Sequence, residues 1–464
     1  MKRNNLIKGS LLILMALTLH ACFVSKPYQK PKVETDNIFR NQTDVDSFSM
    51  AMISWNELFT DPILQEHIQN AIQQNLDLQM AMQNINIAEA NLKQSRANYL
   101  PSINAVATQT HQELSSNSQF GRIFNGSINQ YELSTRLVWE ADIWGKISSM
   151  KKAALADYLA SENAKQAIQT EIVANVASLY YQLLALDAQI VMANQTLENR
   201  LASLEVIKAL KQAGSVNEVA VQQTEAQLYT VQIVLEDLHY QVQVFENSFQ
   251  LLLGKSGEKV ARSSFENQKM DAPIKTGVPT LLLSLRPDVK AAELNFRNAF
   301  EMTNVAKSFF YPSFTINATT GLQSLEIEKW FSTKSIFANI ITGLAQPIFN
   351  QRQNKTRLEI AKASQEQAYL NFQKSILVAG NEVSNSLASF ENESKKLTIR
   401  KQQVESLNRA ANYSDELLQY GMVNYLEVLV AKDQALNAEI AYIDTRFQQW
   451  NAMIQLYKAL GGGY

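Results

Sequence analysis

KISSMKKAALADYLASENAKQAIQTEIVANVASLYYQLLALDAQIVMANQTLENRLASLEVIKALKQA, residues 146–213, runs for 68 positions between Gly145 and Gly214 without Gly or Pro. Ile168, Ile172, Val176, Leu179, Leu183, Leu186, Ile190, Leu197, Leu201 and Leu204 recur through it, mostly three or four apart. That spacing keeps one face of a helix apolar. At 1.5 Å per residue an unbroken helix of this size is ~100 Å long, whereas globular helices average about three turns. No compact domain needs such an element; a structure that crosses a wide gap does.

The same construction returns twice. Ser215 to Leu253 also lacks Gly and Pro, and Leu228, Val231, Leu235, Leu238, Val242, Phe245, Phe249 and Leu252 alternate steps of three and four. Leu436, Ile440, Ile443, Phe447, Trp450, Ile454 and Tyr457 do so again near the C-terminus. A sustained period of 3.5 predicts helices that supercoil around neighbours. An ordinary soluble coiled coil has that period too, so the rest of the chain must decide.

Four short segments follow a different period. Tyr131, Leu133, Thr135, Leu137 and Trp139 alternate with Glu132, Ser134, Arg136, Val138 and Glu140. Phe314, Ile316, Ala318, Thr320 and Leu322 alternate with Thr315, Asn317, Thr319, Gly321 and Gln323. Ser102 to His111 and Phe337 to Gln346 are weaker versions. A period of two with unlike faces predicts strands, and about ten residues is the length of a transmembrane β-strand. A small soluble sheet with one buried face gives the same alternation. Glu113 to Asn129 and Ser324 to Ile336, rich in Ser, Asn, Lys and Glu, read as exposed loops.

An internal repeat organises these segments. Tyr99-Leu100-Pro101-Ser102 recurs as Phe310-Tyr311-Pro312-Ser313, a shift of 211 (312 − 101). Leu210-Lys211-Gln212-Ala213-Gly214 recurs as Leu417-Leu418-Gln419-Tyr420-Gly421, a shift of 207 (421 − 214). Each half reads helix, strand, loop, strand, very long helix, Gly turn, long helix. The expected organisation is a first repeat over 62–253, a linker over 254–286 and a second repeat over 287–464. Residues 22–61 form an extended arm, and Asp61-Pro62 has the cap and first-turn Pro of a helix start.

Residues 1–21 read as a signal peptide: Lys2, Arg3 and Lys8 precede an apolar run, Leu11 to Leu19, too short to span a bilayer. It ends Leu19-His20-Ala21-Cys22, and Cys22 is the single cysteine, so no internal disulfide is possible. That ending resembles a bacterial lipobox, which implies cleavage before Cys22 and acylation there; Phe23, in place of Asp, favours the outer membrane by the lipoprotein sorting rule. No other stretch reads as a transmembrane helix.

The remaining chemistry excludes classes. The chain has 42 Lys and Arg against 44 Asp and Glu, which gives no electrostatic case for nucleic acid. His20, His67, His111 and His239 are scattered, with no metal-spaced cluster, no phosphate-binding Gly loop and no nucleophile elbow. Neither an enzyme nor a metal site is expected, and no cofactor beyond the lipid on Cys22. Trp139 and Trp144, at a strand end, are candidate membrane-interface aromatics. Gly214 and Gly421 supply the left-handed turns between long helices.

Two strands per half give four, too few to close a barrel, and open edges do not survive in lipid. Membrane strands therefore require oligomerisation, and a lumen favours twelve strands over eight. Lys26-Pro27-Tyr28-Gln29-Lys30-Pro31 after Cys22, Trp55-Asn56-Glu57-Leu58-Phe59-Thr60-Asp61-Pro62, the Tyr-Leu-Pro-Ser at 99–102 and GMVNYLEVL at 421–429 together resemble the TolC-like outer-membrane factors, specifically their lipoprotein branch. The resemblance implies a mainly α fold with a membrane β-barrel part. Three copies would form a 12-stranded β-barrel in the outer membrane and a 12-helix coiled-coil α-barrel across the periplasm. It implies a passive exit duct for small molecules, with a periplasmic adaptor and an inner-membrane RND pump as partners. It also implies a gate just after the second Gly turn, where the family has a Leu and an Asp one helical turn apart. Leu426 falls on that Leu and Val430 on that Asp, so either a carboxylate ring is displaced to Glu427 or Asp433, or closure is apolar. A type I protein-secretion duct shares this architecture; a periplasmic coiled-coil adaptor or scaffold would lack the paired strands in each half.

Overall fold

The computed structural model describes residues 25–33, 49–123, 126–270 and 282–463. The signal segment, Cys22, residues 34–48 of the arm and 271–281 of the linker lie outside the described residues. In chain order the main elements are α1 (Pro62–Gln74), α2 (Leu76–Ala97), β1 (Ser102–Glu113), β2 (Ser127–Ala141), α3 (Lys146–Gln212) and α4 (Glu218–Leu252). The second half repeats them as α5 (Pro287–Ser308), β3 (Ser313–Ser324), β4 (Ile336–Ala345), α6 (Gln353–Gln419) and α7 (Tyr425–Ala459), with a short turn of helix at Leu282–Leu285 in the place of α1. The fold is mainly α with a four-stranded sheet, as the two periods require. α3 and α6 each hold 67 residues, so each is about 100 Å long by the helical rise.

Two details depart from the pattern of Gly and Pro. The Gly- and Pro-free stretch after Pro62 is two helices, broken at Asn75. Its backbone is extended (φ −61°, ψ 129°), and its Oδ1 accepts from the N–H groups of Asp77 and Leu78, capping α2. The second concerns α3, whose most apolar window is long and hydrophobic enough to cross a membrane, although 61% of that window is buried by the protein itself. The expectation that no other stretch reads as a transmembrane helix is corrected: by length and composition this one does, and its burial marks it as a packed stripe.

The chain forms two compact units, and each draws on both sequence halves. The first contains Ile85–Ala160 and Ala292–Phe372 with the segment up to Lys32; the second contains Val33–Asn84, Ser161–Ala291 and Gln373–Tyr464.

The first unit holds the sheet, antiparallel throughout and ordered β1-β2-β3-β4. Leu137 lies opposite Ile103 on one side and Ala318 on the other; Leu133 lies opposite Ala107 and Leu322; Phe314 lies opposite Leu344. Facing residues share a side of a sheet. One side is therefore apolar across all four strands at the row Ile103, Leu137, Ala318 and Ile340, although β1 brings Gln109, His111 and Glu113 to its far end, while Asn104, Arg136, Thr319 and Asn339 line up on the other. On the polar side Glu132 accepts from Ser134 Oγ (2.5 Å) and from Arg136 Nη2 (3.3 Å). Ile103, Ile336, Ile340 and Leu344 are exposed on the apolar side. A soluble sheet buries its apolar side; this one leaves it bare.

In the second unit the repeat becomes a repeat of contacts. Asn75 donates from Nδ2 to the carbonyl of Leu252 at the end of α4 (3.0 Å). Its counterpart 211 residues on, Arg286, donates from Nη1 to Ala459 at the end of α7 (2.9 Å). Gly254 (φ +66°) and Gly461 (φ +94°) follow those helix ends. A Cβ on Gly254 would stand 2.7 Å from the Gln74 carbonyl oxygen, and one on Gly461 2.9 Å from the Leu285 carbonyl carbon. Both glycines meet two demands at once, a left-handed turn and a close backbone neighbour.

A buried polar knot fixes the start of α1 to α3. Asp61 caps α1 through the Ile63 N–H (2.9 Å) and accepts from Tyr180 Oη (2.6 Å), Ser263 Oγ and Gln268 Nε2 (3.0 Å). Burial pushes the Asp61 carboxyl up, but the donors Ser263, Tyr180, Ile63 and Gln268 outweigh it and hold it below the ordinary carboxylate range. Asp61→Ala leaves buried donors without an acceptor and removes a cap, at a cost of about 3 kcal/mol. Denaturant unfolding of the detergent-solubilised protein should show that loss at pH 7. Because the folded-state value is the lower one, Asp61 stabilises fully above about pH 4 and less as pH falls through its own value. The gap between the wild type and Asp61→Ala should therefore stay constant from pH 8 to 5 and shrink only in stronger acid.

Candidate functional site

The two Gly turns are built alike. Ser215 donates to the Leu210 carbonyl (2.9 Å) and Gly214 to Lys211 (3.0 Å); Met422 donates to Leu417 (3.0 Å) and Gly421 to Leu418 (3.0 Å). These bonds close the last turns of α3 and α6 with the glycines at φ +78° and +68°. Nothing lies within 4 Å of a Cβ built on either, so the backbone angle, not space, requires glycine. Asn217 and Asn424 then cap the returning helices, accepting from the N–H groups of Ala220 and Glu427. The Val-Asn that recurs at 216–217 and 423–424 is the sequence signal for these caps, and periodicity alone misses it.

α7 leaves the second turn with two unlike faces. Val428 and Leu429 are buried, and Tyr425 packs against Leu204, Ile207, Val221 and Leu228 of α3 and α4. Leu426 and Val430, one turn apart, stay 49% and 47% exposed. The neighbouring carboxylates are engaged within the chain. Glu427 accepts from Asn424 Nδ2 (2.9 Å), and Asp433 is bonded to Arg200. The Arg200 side chain is 1% exposed, with Nε and Nη1 unbonded, so Asp433 is its charge partner. A polar cavity of about 480 Å³ opens beside it, where Asn199, Asn408, Lys432 and Glu439 face one another. Lys432 is itself paired with Asp415 (2.7 Å).

The two turns differ in what they expose. The second carries Tyr420, Met422, Leu426 and Val430, all exposed; 207 residues earlier stand Ala213, Ser215, Val219 and Gln223. Contiguous exposed apolar surface marks an interaction site. Here the second turn exposes four large apolar side chains and the first only Val219 of the matching four.

At the base of the sheet, in the other unit, Trp139 Nε1 donates to the Tyr99 carbonyl (2.9 Å), and its counterpart Gln346 Nε2 donates to Phe310 (3.1 Å). Trp144 Nε1 donates to Pro312 (2.7 Å), and its ring stacks on Tyr311 at 5.0 Å. Both indoles thus tie helix–strand corners with their polar ends, and Trp139 is on the same side of the sheet as Leu137. Among the described residues no group of three His, Cys, Asp or Glu could hold a metal ion.

This chain matches the family described as outer membrane efflux protein over residues 67–255 and 278–462, one match in each half. It is 28% identical over 462 residues to the cation efflux system protein CusC of Escherichia coli O6:H1, covering 97% of each chain. It is 28% identical to the outer membrane protein OprJ of Pseudomonas aeruginosa, covering 97% of this chain and 95% of that one. A crystal structure of a Pseudomonas aeruginosa membrane protein superposes with a TM-score of 0.88 at 26% identity, covering 94% of this chain and 100% of that one. The CusC crystal structure superposes at 0.82 and 25% identity, covering 95% and 99%. With long helices, paired strands and Gly turns repeated in both halves, the chain belongs to the outer membrane efflux protein family.

Proposed function

We propose that this protein is the outer-membrane exit duct of a tripartite efflux system, assembled from three copies. The observation that carries this reading is the sheet: four strands with Ile103, Ile336, Ile340 and Leu344 exposed on one side, and two outer strands that have no further strand partner among the described residues. In lipid such edges must be closed, and a single chain cannot close them. Three copies give twelve strands with the polar side, Glu132 and Arg136 included, turned to a water-filled lumen. The long helices then carry the passage through the periplasm to an adaptor and an inner-membrane pump of the RND type. The duct is passive and not an enzyme; the partner supplies energy and selects cargo. A lipid on Cys22 adds an anchor. Trp139 and Trp144 would serve as its interfacial aromatics.

Purified full-length protein reconstituted in planar bilayers should form ion-conducting pores, and the same sample should run as a trimer in detergent. Protein that stays monomeric and never conducts would overturn the reading.

A further inference from the structure

In the first unit the first turn of α3, the second half of α5 and the start of α6 enclose a cavity of about 970 Å³. Met150, Met302, Val305, Ala306, Phe309 and Ile360 supply its apolar walls. Val305 and Ala306 are buried, but Met302 and Ile360 stand 44% and 62% exposed. The charged residues of its lining are Lys146 and Arg357, and no acid lines it. Both cations lie over the Phe309 ring, 5.1 and 3.9 Å from its centre. Lys146 is neutralised by Glu140 (2.8 Å). Arg357 donates to the neutral Asn354 (3.1 Å) and has no carboxylate partner among the described residues.

The repeat does not call for this cavity. The counterparts of Met302 and Phe309 are Asn91 (302 − 211) and Asn98 (309 − 211), and those of Arg357 and Ile360 are Met150 (357 − 207) and Ala153 (360 − 207). The equivalent place in the first half has neither the aromatic ring nor the cation.

Two observations turn the cavity towards the passage. Glu293, Arg297, Phe300 and Asn304, spaced i, i+4, i+7 and i+11 along α5, hold the N-terminal arm. Glu293 takes Lys30 (2.5 Å), Tyr28 packs on Phe300 (5.6 Å) beside Arg297 (5.5 Å), and Asn304 donates to the Lys26 carbonyl (3.0 Å). An arm tethered to lipid through Cys22 runs outside a closed duct. The lining residues Asn298, Met302, Val305 and Phe309 repeat that spacing five positions later, about 140° round the helix, and so face inwards. The second observation is the Lys146 partner. Glu140 follows Glu132 and Arg136 at steps of four along β2, on the polar side of the sheet.

We propose that this cavity is a lumenal resting site for anionic amphiphiles, molecules with an apolar body and one sulfonate, sulfate or carboxylate head; this deepens the exit-duct reading and rests on it. An apolar hollow with few polar groups is the usual form of a small-molecule site. The body covers Met302 and Ile360, which otherwise meet water, and the head accepts from the remaining N–H groups of Arg357 in a bidentate pair. A cationic head would be repelled there.

Ile360→Cys in the solubilised full-length trimer tests the site, with anilinonaphthalene sulfonate as the probe and the parent protein giving the Cys22 background. The probe should protect the introduced thiol from a water-soluble thiol reagent. Adding Arg357→Gln should raise the probe concentration needed about tenfold, the worth of one charge-assisted bond. Neutral phenylnaphthylamine, the same body without the sulfonate, should protect equally with and without Arg357→Gln. If the sulfonate also protects equally in both, the cavity takes apolar bodies regardless of charge and the anion preference is wrong. If the thiol at position 360 does not react at all, a neighbouring copy fills the cavity, and the site falls while the duct stands. In planar bilayers the probe should lower the single-channel current of the wild type, and that of Arg357→Gln less. Protection with no effect on the current would put the cavity outside the passage and remove its lumenal role. Protein that forms no pores would overturn the exit-duct reading itself, and this proposal with it.

Discussion

Leu426→Ser with Val430→Ser should raise the resting conductance of the reconstituted channel several-fold. These side chains are one turn apart and half exposed; turned to the axis of the proposed duct, they would present methyl groups and no hydrogen-bonding atoms. A narrow ring of that kind resists wetting, and a hydroxyl at each position removes the resistance. Neither residue supports the helix, because α7 packs through Tyr425, Val428 and Leu429, so expression and trimer yield should not change. Glu427→Gln is the contrasting variant. Its carboxylate accepts from Asn424 and keeps its charge, so its loss should leave the resting conductance, set by the apolar pair, as in the wild type. Both outcomes are read in planar bilayers, and the first also as sensitivity to large antibiotics that do not normally cross the outer membrane. Unchanged conductance in the double serine variant would put the constriction elsewhere. A raised resting conductance in Glu427→Gln would bring that carboxylate into the closure.

The second large effect concerns Arg200. Asp433→Ala leaves a buried guanidinium with no counter-charge, and breaking a buried pair costs about 3–5 kcal/mol. Asp433 is 30% exposed, so water offsets part of this and about 3 kcal/mol of local stability should go. That is roughly a hundredfold in the opening of α7 away from α3. Limited proteolysis should then cut between residues 200 and 220 and around 420 under conditions that leave the wild type intact. Replacing both partners, Arg200→Met with Asp433→Leu, should recover most of the resistance, because an apolar pair of similar volume carries no desolvation penalty. If Asp433→Ala resists protease as well as the wild type, the pair contributes nothing, and water in the adjoining cavity must be solvating the guanidinium.

The strands and helices were legible because their causes are local. A period of 3.5 over a Gly- and Pro-free run can bury one stripe only as a helix, and a period of two between turn residues can face two solvents only as a strand. Where a residue acts against its type, that reading fails. Asn75 ends a helix that contains no breaker because its side chain caps the next one. Gln351 and Arg352 adopt φ of +53° and +68° although neither is glycine. Arg352 is the counterpart of Gly145, whose φ is +73°, and it is held by Glu359 (2.8 Å).

Of the candidate site, the turns at Gly214 and Gly421 and the aliphatic pair Leu426 and Val430 were readable, because a left-handed turn and an i, i+4 stripe are each written in a few adjacent letters. Which carboxylates are free to line a passage was not. Asp433 reads as a candidate until Arg200, 233 residues away, is found against it, and Glu427 until Asn424 is seen to occupy it. The sequence by itself determined the helices, the strands, their duplication and the family. Tertiary structure alone decided the β2–β3 register, the Asp61 knot and the pairing of Arg200. Each of those joins groups more than 80 residues apart, and no period or spacing along the chain records which distant partner will neutralise a charge or complete a ladder.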